Sequence, residues 1–229
     1  MGWVLLFLAL GVGLYLYSLS RRRGLKPGEF FPEKEPFGVV IDVETTGLLN
    51  DTKPTKKKVL ETPGNFPRVV QISWLLLSQD YKQIARKTYF IKQNEPIPAE
   101  AIAIHGITNE ECEAKGRDLK EVLQEFSKDI EPCSYFIGHN VQFDKDVIEA
   151  ECFKVDLLPP FKYMKPLDTM LLGRKLMKRE RFKLESIAEE LFGKKTVNQY
   201  AKHNAEADVW LTANIFIYLH KKSTKKWAK

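Results

Sequence analysis

Two apolar runs rich in β-branched residues lie in the first third of the chain and most constrain its fold. They span Phe37 to Val43 and Val69 to Leu77, and a shorter run, Thr88 to Ile91, follows a polar turn at Ser78 to Lys82. Runs of this length and composition favour the strands of a sheet. The chain is therefore expected to build its core around a sheet.

Helical spacing of apolar residues dominates the later part of the chain. The pattern predicts helices over 119–130, 141–152, 184–191 and 205–220, with a strand at 134–138. Gly193 follows the third of these helices and is a typical helix terminator. Strands followed by alternating helices and strands indicate an α/β domain with a mixed sheet covered by helices.

The N-terminal segment is uncharged from Met1 to Ser20, and about 20 apolar residues are enough for one helix to cross a bilayer. Arg21, Arg22 and Arg23 follow directly, as expected on the cytoplasmic side of a membrane. A cleaved signal peptide is the alternative, but the basic region that should precede its apolar part is absent. We expect a single-pass membrane protein whose C-terminal domain faces the cytoplasm.

Charge and turn residues give the expected boundaries: an anchor with its basic stop at 1–23, a proline-rich linker at 24–36, a domain at 37–220 and a basic tail at 221–229. Of the net charge of +6, residues 1–26 carry +4 and residues 221–229 carry +5, which leaves the middle of the chain at −3. The basic character therefore describes two ends and not a uniformly basic surface.

Two further features bear on the domain. The segment from Leu48 to Pro67 is rich in lysine, proline and threonine, and is predicted to be an exposed, solvated loop. Its four lysines at 53, 56, 57 and 58 also suggest contact with a phosphate backbone. The odd number and wide spacing of Cys112, Cys133 and Cys152 are typical of buried thiols in a reducing compartment.

Carboxylates occur at three places where the predicted elements begin or end. Asp42 and Glu44, two residues apart at the end of a strand, point to the same face of the sheet. Asp144 lies in the first turn of a predicted helix, and His203 precedes Asp208 near the start of the last one. Each feature alone has an ordinary explanation: a solvated strand end, a helix N-terminal acid stabilised by the dipole, and an exposed histidine.

In combination, these motifs resemble the DEDDh branch of the DEDD exonuclease superfamily, which includes RNase T and the proofreading subunit of the bacterial replicative polymerase. The segment from Val40 to Leu48 resembles the opening strand of that family, and Ala103 to Thr108 resembles its His-Gly-Ile-Thr segment. Leu167-Asp168-Thr169 resembles its later strand-to-helix corner, where Asp168 is predicted to be a helix cap. The resemblance extends over residues 38–218.

The resemblance implies an RNase H-like fold with a five-stranded mixed sheet, and a 3′→5′ exonuclease that releases nucleoside 5′-monophosphates from single-stranded DNA or RNA. Four acids in one site suit two Mg²⁺ or Mn²⁺ ions. Asp42, Glu44, Asp144 and Asp208 are the metal ligands that the resemblance implies, and His203 is the general base.

The resemblance also implies contacts with the terminal nucleotide. The residues concerned are Thr45, Thr46, Gly47, His105, Ile107, Asn140 and Phe143, although Phe143 fits a core position equally well. Two other functions remain open at this stage. One is a catalytically weak, membrane-tethered nucleic-acid-binding module on a nuclease fold, and the other is a hydrolase of mononucleotides.

Overall fold

The structure is a computed structural model that describes residues 36–178, 183–200 and 205–227. The expected anchor at 1–23 and the linker up to Glu35 lie outside these residues. Among the described residues, no helix has both the length and the apolar character needed to span a bilayer.

Five strands form one mixed sheet, as predicted. In chain order they are β1 (Pro36–Thr45), β2 (Val69–Ser78), β3 (Gln83–Phe90), β4 (Tyr135–Gly138) and β5 (Lys165–Asp168). Their spatial order is β3-β2-β1-β4-β5. β1 pairs with β2 antiparallel and with β4 parallel, so the strand that carries Asp42 and Glu44 lies at the centre of the sheet.

The described helices flank this sheet. They are α1 (Lys56–Glu61), α2 (Ala99–His105), α3 (Asn109–Lys115), α4 (Leu119–Ile130), α5 (Val141–Lys154), α6 (Thr169–Met177), α7 (Leu184–Phe192), α8 (Lys194–Tyr200) and α9 (Ala205–Trp227). The helices predicted over 119–130, 141–152, 184–191 and 205–220 are confirmed, the last one continuing to Trp227.

Alternation along β1 divides the core between the two faces of the sheet. Val39 and Ile41 lie on the face covered by α4 and α5, in a cluster that includes Phe126 and Val147. Val40 lies on the opposite face, in a separate cluster with residues of α9. Because side chains alternate along a strand, Asp42 and Glu44 must share the face of Val40 and so lie under α9.

The third predicted strand was too short. β3 begins at Gln83 and not at Thr88, and it pairs with β2 from Leu77 to Gln71. β3 is an edge strand whose first four residues are exposed, so they carry no apolar run for sequence reasoning to detect. The polar turn before it is confirmed, since Ser78 N–H donates to the Lys82 carbonyl over 2.9 Å.

The segment from Leu48 to Pro67 is largely exposed, as predicted, but it is folded and is not an irregular loop. The segment contains α1 and a short 3₁₀ turn, and it buries Val59 and Phe66 against Ala150 of α5. Lys154, also on α5, donates from Nζ to the Phe66 carbonyl over 3.0 Å. The insertion therefore packs on the helix that carries Asp144, while its lysines remain on the outside. The three cysteines are buried and free, as predicted.

Candidate active site

The end of β1 presents two carboxylates to one face of the sheet. Asp42 pairs with Ser73 and Glu44 with Gln71 in the register with β2. Neither acid is fully exposed, because α9 crosses the same face. The strand pleat predicted from the Asp-Val-Glu spacing therefore places both oxygens towards α9.

The first turn of α9 supplies a third carboxylate, that of Asp208. The next residue along the chain, Val209, is fully buried against Val40 and Leu75, which anchors the helix to the sheet. The arrangement brings carboxylate oxygens of Asp42, Glu44 and Asp208 within 4.8 Å of one another. Residues separated by more than 160 positions in the chain thus meet in one site.

Asp144 approaches the same site from the first turn of α5. β4 ends at Gly138, before it reaches the level of Val43 on β1. The Val43 N–H donates to Asp144 Oδ1 over 3.1 Å and not to a neighbouring strand. Asp144 is buried, and its charge raises the pKa of Asp42. The structure therefore brings together all four of the acids that the sequence singled out.

The acids are held in an electrostatically unfavourable cluster. Burial, followed by repulsion from Asp144, Asp208 and Glu44, raises the pKa of Asp42 well above its usual range. Burial and the Asp208 charge raise the pKa of Glu44 to about 7. Burial also raises the pKa of Asp144, against the opposing effect of the Val43 N–H. Such a set of oxygen donors needs a cation to be ionised together, and it fits a hard divalent ion.

His203, the expected general base, lies outside the described residues. The chain is described again from Ala205, the first residue of α9. The position of the imidazole relative to the four acids thus stays a prediction.

The turn after β1 is fixed by hydrogen bonds. Thr45 Oγ1 donates to the Gly47 carbonyl over 2.7 Å. Thr46 bonds Arg68 twice, with its N–H donating to the Arg68 carbonyl over 2.9 Å and its Oγ1 accepting from the Arg68 N–H over 2.9 Å. This turn follows Glu44 directly, so it lies at the edge of the acidic site.

His105 and Ile107 lie beside this turn. His105 ends α2, and its Nδ1 accepts from the Ile107 N–H over 3.0 Å. Burial lowers the pKa of His105, and its contact with the Thr45 backbone acts in the opposite direction. Gly106 adopts a left-handed conformation with φ of 73°, which turns the chain tightly between the two residues. Ile107 is buried in a small cluster that includes Val70.

The remaining expected contacts surround the start of α5. Asn140 has φ of 69°, and its N–H donates to Asp168 Oδ1 over 3.2 Å. Phe143 is half-buried and packs against the main core cluster. Asp168 also accepts from the Met170 N–H over 2.8 Å, which confirms it as the cap of α6.

Gln71 is a buried polar residue of the site region that sequence reasoning missed. It is 3% exposed, and it interrupts the otherwise apolar start of β2 on the face shared with Glu44. A polar side chain in a strand covered on both faces is the signal that would have marked it, because buried polar groups need a partner.

The fold and the acidic site together define a nuclease. A family model described as RNase_T, exonuclease, matches residues 39–216. The chain therefore belongs to this exonuclease family, in its DEDDh group.

Curated relatives agree with this assignment. The chain is 28% identical to a PolC-type DNA polymerase III of Thermotoga maritima over 89% of its own length, and 28% identical to the 3′-5′ exonuclease DinG of Bacillus subtilis over 80%. It spans only 15% and 18% of those proteins. It is also 24% identical to a DNA polymerase III subunit epsilon of Rickettsia prowazekii, with 79% of this chain and 72% of that protein covered.

Solved structures share the fold. A complex of exonuclease X with 5′-overhanging duplex DNA matches with a TM-score of 0.58 and 21% identity, covering 82% of this chain and 93% of that one. Exonuclease I of E. coli in complex with a dA16 oligonucleotide matches with a TM-score of 0.61 and 18% identity, covering 78% and 39% of the two chains.

Proposed function

We propose that the protein is a 3′→5′ exonuclease that depends on two divalent ions and releases nucleoside 5′-monophosphates from single-stranded nucleic acid. The observation that carries the proposal is the meeting of Asp42, Glu44 and Asp208 within 4.8 Å, beside buried Asp144. Family membership supports hydrolysis of phosphodiester bonds, and the solved complexes with DNA support a nucleic-acid substrate.

The four acids have distinct places in this proposal. Asp42, which is in repulsion with the other three acids, would help to hold both Mg²⁺ or Mn²⁺ ions. Glu44 and Asp208 would hold one of these ions, and Asp144 would support the other. When bound, such ions lower the pKa of a water molecule and stabilise charge on the phosphate and the leaving oxygen.

His203 would accept the proton of the attacking water. A histidine that titrates near neutrality suits this task, because it can take up a proton and release it within one turnover. Its place two residues before α9, the helix of Asp208, supports this role.

The 3′-terminal nucleotide would lie against the turn formed by Thr45, Thr46 and Gly47 and the neighbouring His105–Ile107 segment. Two observations support this location: the turn follows Glu44 directly, and His105 contacts the Thr45 backbone. Asn140 and Phe143 would complete the pocket from the start of α5. Contacts of this kind are made with backbone and base faces, so little sequence preference is expected.

End-labelled substrates test the proposal. Oligonucleotides of DNA and of RNA, and a duplex with a 3′ mismatch, are incubated with Mg²⁺ or Mn²⁺ and with EDTA. A 5′-labelled strand should shorten progressively from its 3′ end and yield nucleoside 5′-monophosphates, whereas Asp42→Asn and the EDTA sample should leave it intact. Tight binding without hydrolysis by the wild-type protein would instead identify a binding module. Hydrolysis of free mononucleotides alone would identify a different hydrolase.

We further propose that the insertion from Asn50 to Pro67 contacts the phosphate backbone of the substrate. It packs on α5 and so lies next to the element that carries Asp144. Two of its lysines are already engaged, Lys56 with Asp156 and Lys58 with Asp51. Lys53 and Lys57 are the exposed charges that remain for a phosphate contact, Lys57 lying 4.0 Å from Glu61.

The membrane anchor at 1–23 is likewise a proposal, supported by the uncharged apolar segment and the three arginines after it. The full chain expressed in cells should remain with membranes after extraction at alkaline pH. A variant with Leu8→Arg and Val12→Arg should be released, because each charge opposes insertion by about 3 kcal/mol. Release of the unaltered chain would contradict the anchor.

A further inference from the structure

Gln71 lies where the sheet meets the start of α9. In the register of β2 with β1 it is the direct neighbour of Glu44, and directly opposed residues on neighbouring strands point to the same face. Its side chain is 3% exposed. The amide is thus enclosed between the strand of Glu44 and the helix of Asp208.

The Gln71 side chain holds the first residue of α9. Its Oε1 accepts from the Ala205 N–H over 2.9 Å, and Ala205 is fully buried. The first N–H groups of a helix have no partner within the helix and need an acceptor from elsewhere. Gln71 provides that acceptor from within the sheet.

The position of Asp208 depends on this contact. Asp208 is three residues after Ala205, and one helical turn is 3.6 residues, so a shift at Ala205 is transmitted to its carboxylate. On the outer side, Arg86 of β3 pairs with Glu206 over 3.0 Å, but both partners are substantially exposed. The buried Gln71 contact is therefore the more rigid of the two.

We propose that Gln71 is a positioning residue for the metal site. By holding the Ala205 N–H, it sets the distance between the carboxylates of Asp208 and Glu44 and so the affinity of the site for a divalent ion. This role rests on the proposed function of that site as a metal-dependent nuclease. Gln71 is not one of the four proposed metal ligands, and its Oε1 contacts the backbone of α9.

Replacement of Gln71 with leucine tests the role in the full chain. Gln71→Leu keeps the volume of the side chain and removes the acceptor. The Ala205 amide should exchange with solvent about 10- to 100-fold faster, because a buried donor loses its partner. The dissociation constant for Mn²⁺, measured by paramagnetic resonance, should rise about tenfold or more, as is common when a group that orients a metal ligand is lost.

Gln93→Leu is the matched control. Gln93 also uses its amide to hold backbone, donating from Nε2 to the carbonyls of Val69 and Ile91, but these carbonyls belong to β2 and to the residue that follows β3. The same substitution there should lower thermal stability and leave Mn²⁺ affinity and Ala205 exchange unchanged. This comparison separates positioning of the site from general loss of structure.

Two more variants keep the proposal testable. Gln71→Glu retains an oxygen acceptor and should restore protection of Ala205; only amide exchange is compared for this variant, because its added charge beside Glu44 alters Mn²⁺ binding directly. Gln71→Asn is one methylene shorter and should behave as the leucine variant does, and it replaces that variant if the latter does not fold. The proposal would be overturned if Gln71→Leu and Gln71→Asn bind Mn²⁺ as tightly as Gln93→Leu does. It would also be overturned if the Ala205 amide stays protected from exchange in the two Gln71 variants. A wild-type protein that binds Mn²⁺ but hydrolyses no substrate would refute the nuclease function. Mn²⁺ affinity and Ala205 amide exchange would still decide whether Gln71 positions the metal site.

Discussion

Replacement of Glu44 with glutamine should stabilise the metal-free protein at pH 8, although it removes a metal ligand. Burial and the Asp208 charge raise the pKa of Glu44 from 4.5 to about 7. In the unfolded chain the Glu44 carboxyl ionises near pH 4.5. Between pH 4.5 and about 7 the folded state therefore keeps a proton that the unfolded state has lost. Stability from this group is therefore complete below pH 4.5 and is lost as the pH rises to about 7. At about 1.4 kcal/mol per pH unit, the ionised Glu44 costs the fold roughly 3 kcal/mol at pH 8.

Thermal unfolding in EDTA measures this effect. For a domain of this size, roughly 3 kcal/mol corresponds to a rise in melting temperature of about 6 to 12 °C for Glu44→Gln at pH 8. At about pH 4, below the unfolded-state pKa, the two proteins should melt at nearly the same temperature. Glu113→Gln, which removes an exposed acid on α3, should show no such pH-dependent difference.

Divalent ions should reduce this difference in stability between the wild-type protein and Glu44→Gln. Mn²⁺ at about 100 times its dissociation constant adds roughly 2.7 kcal/mol to the wild-type fold, and less to a variant that binds the ion weakly. If Glu44→Gln melts at or below the wild-type temperature at pH 8 in EDTA, the acids are not held in the repulsive cluster described above.

Three further predictions concern catalysis, substrate binding and stability. His203→Ala should lower kcat by about 10²- to 10⁴-fold and remove the lower limb of the pH–rate profile, as measured on a labelled oligonucleotide. Joint replacement of Lys53 and Lys57 with glutamine should lower the slope of log binding constant against log salt by about 1.4 to 1.8, since two phosphate contacts would be lost. Glu125→Gln should destabilise the fold by on the order of 1 kcal/mol at pH 7, measured by urea unfolding, with activity unchanged. Hydrogen bonding from Lys87 is the first of the causes that lower the pKa of Glu125 to about 2, so this contribution is present above pH 4.5 and is lost as the pH falls from there towards 2.

Each of these predictions has a matched control or a contradicting result. A loss of less than about tenfold in His203→Ala would exclude it as the general base. Lys128→Gln with Lys165→Gln removes two exposed charges at the opposite end of the sheet and should leave the salt slope unchanged. Glu121→Gln, whose pair with Arg117 is long at 3.9 Å and exposed, should not alter stability at pH 7.

Sequence alone predicted the central strands and the acidic cluster for identifiable reasons. The pleat of a strand fixes the relative direction of Asp42 and Glu44 whatever surrounds them. The helical spacing after residue 204 placed Asp208 near a helix start, and α9 indeed carries it over the sheet. The order of the motifs along the chain added the expectation that Asp144 would join them.

The parts that sequence did not predict depend on tertiary contacts. Phe66 lies among lysines, prolines and polar residues, and only its burial against α5 shows that the insertion is folded. The first half of β3 is exposed and has only two adjacent apolar residues, because an edge strand is stabilised by hydrogen bonds to β2 and not by a buried apolar face. The partner of Gln71 lies 134 positions away in the chain, so the contact has no local sequence signal.

Titration with Mn²⁺ tests the central claim most directly, because it examines the four converging acids without reference to substrate. Calorimetry of the full wild-type chain should show saturable binding of about two ions, and Asp42→Asn should lose both, since Asp42 interacts with all three other acids and would help to hold each ion. Undiminished binding in Asp42→Asn, or no saturable binding by the wild-type chain, would contradict a shared two-ion site.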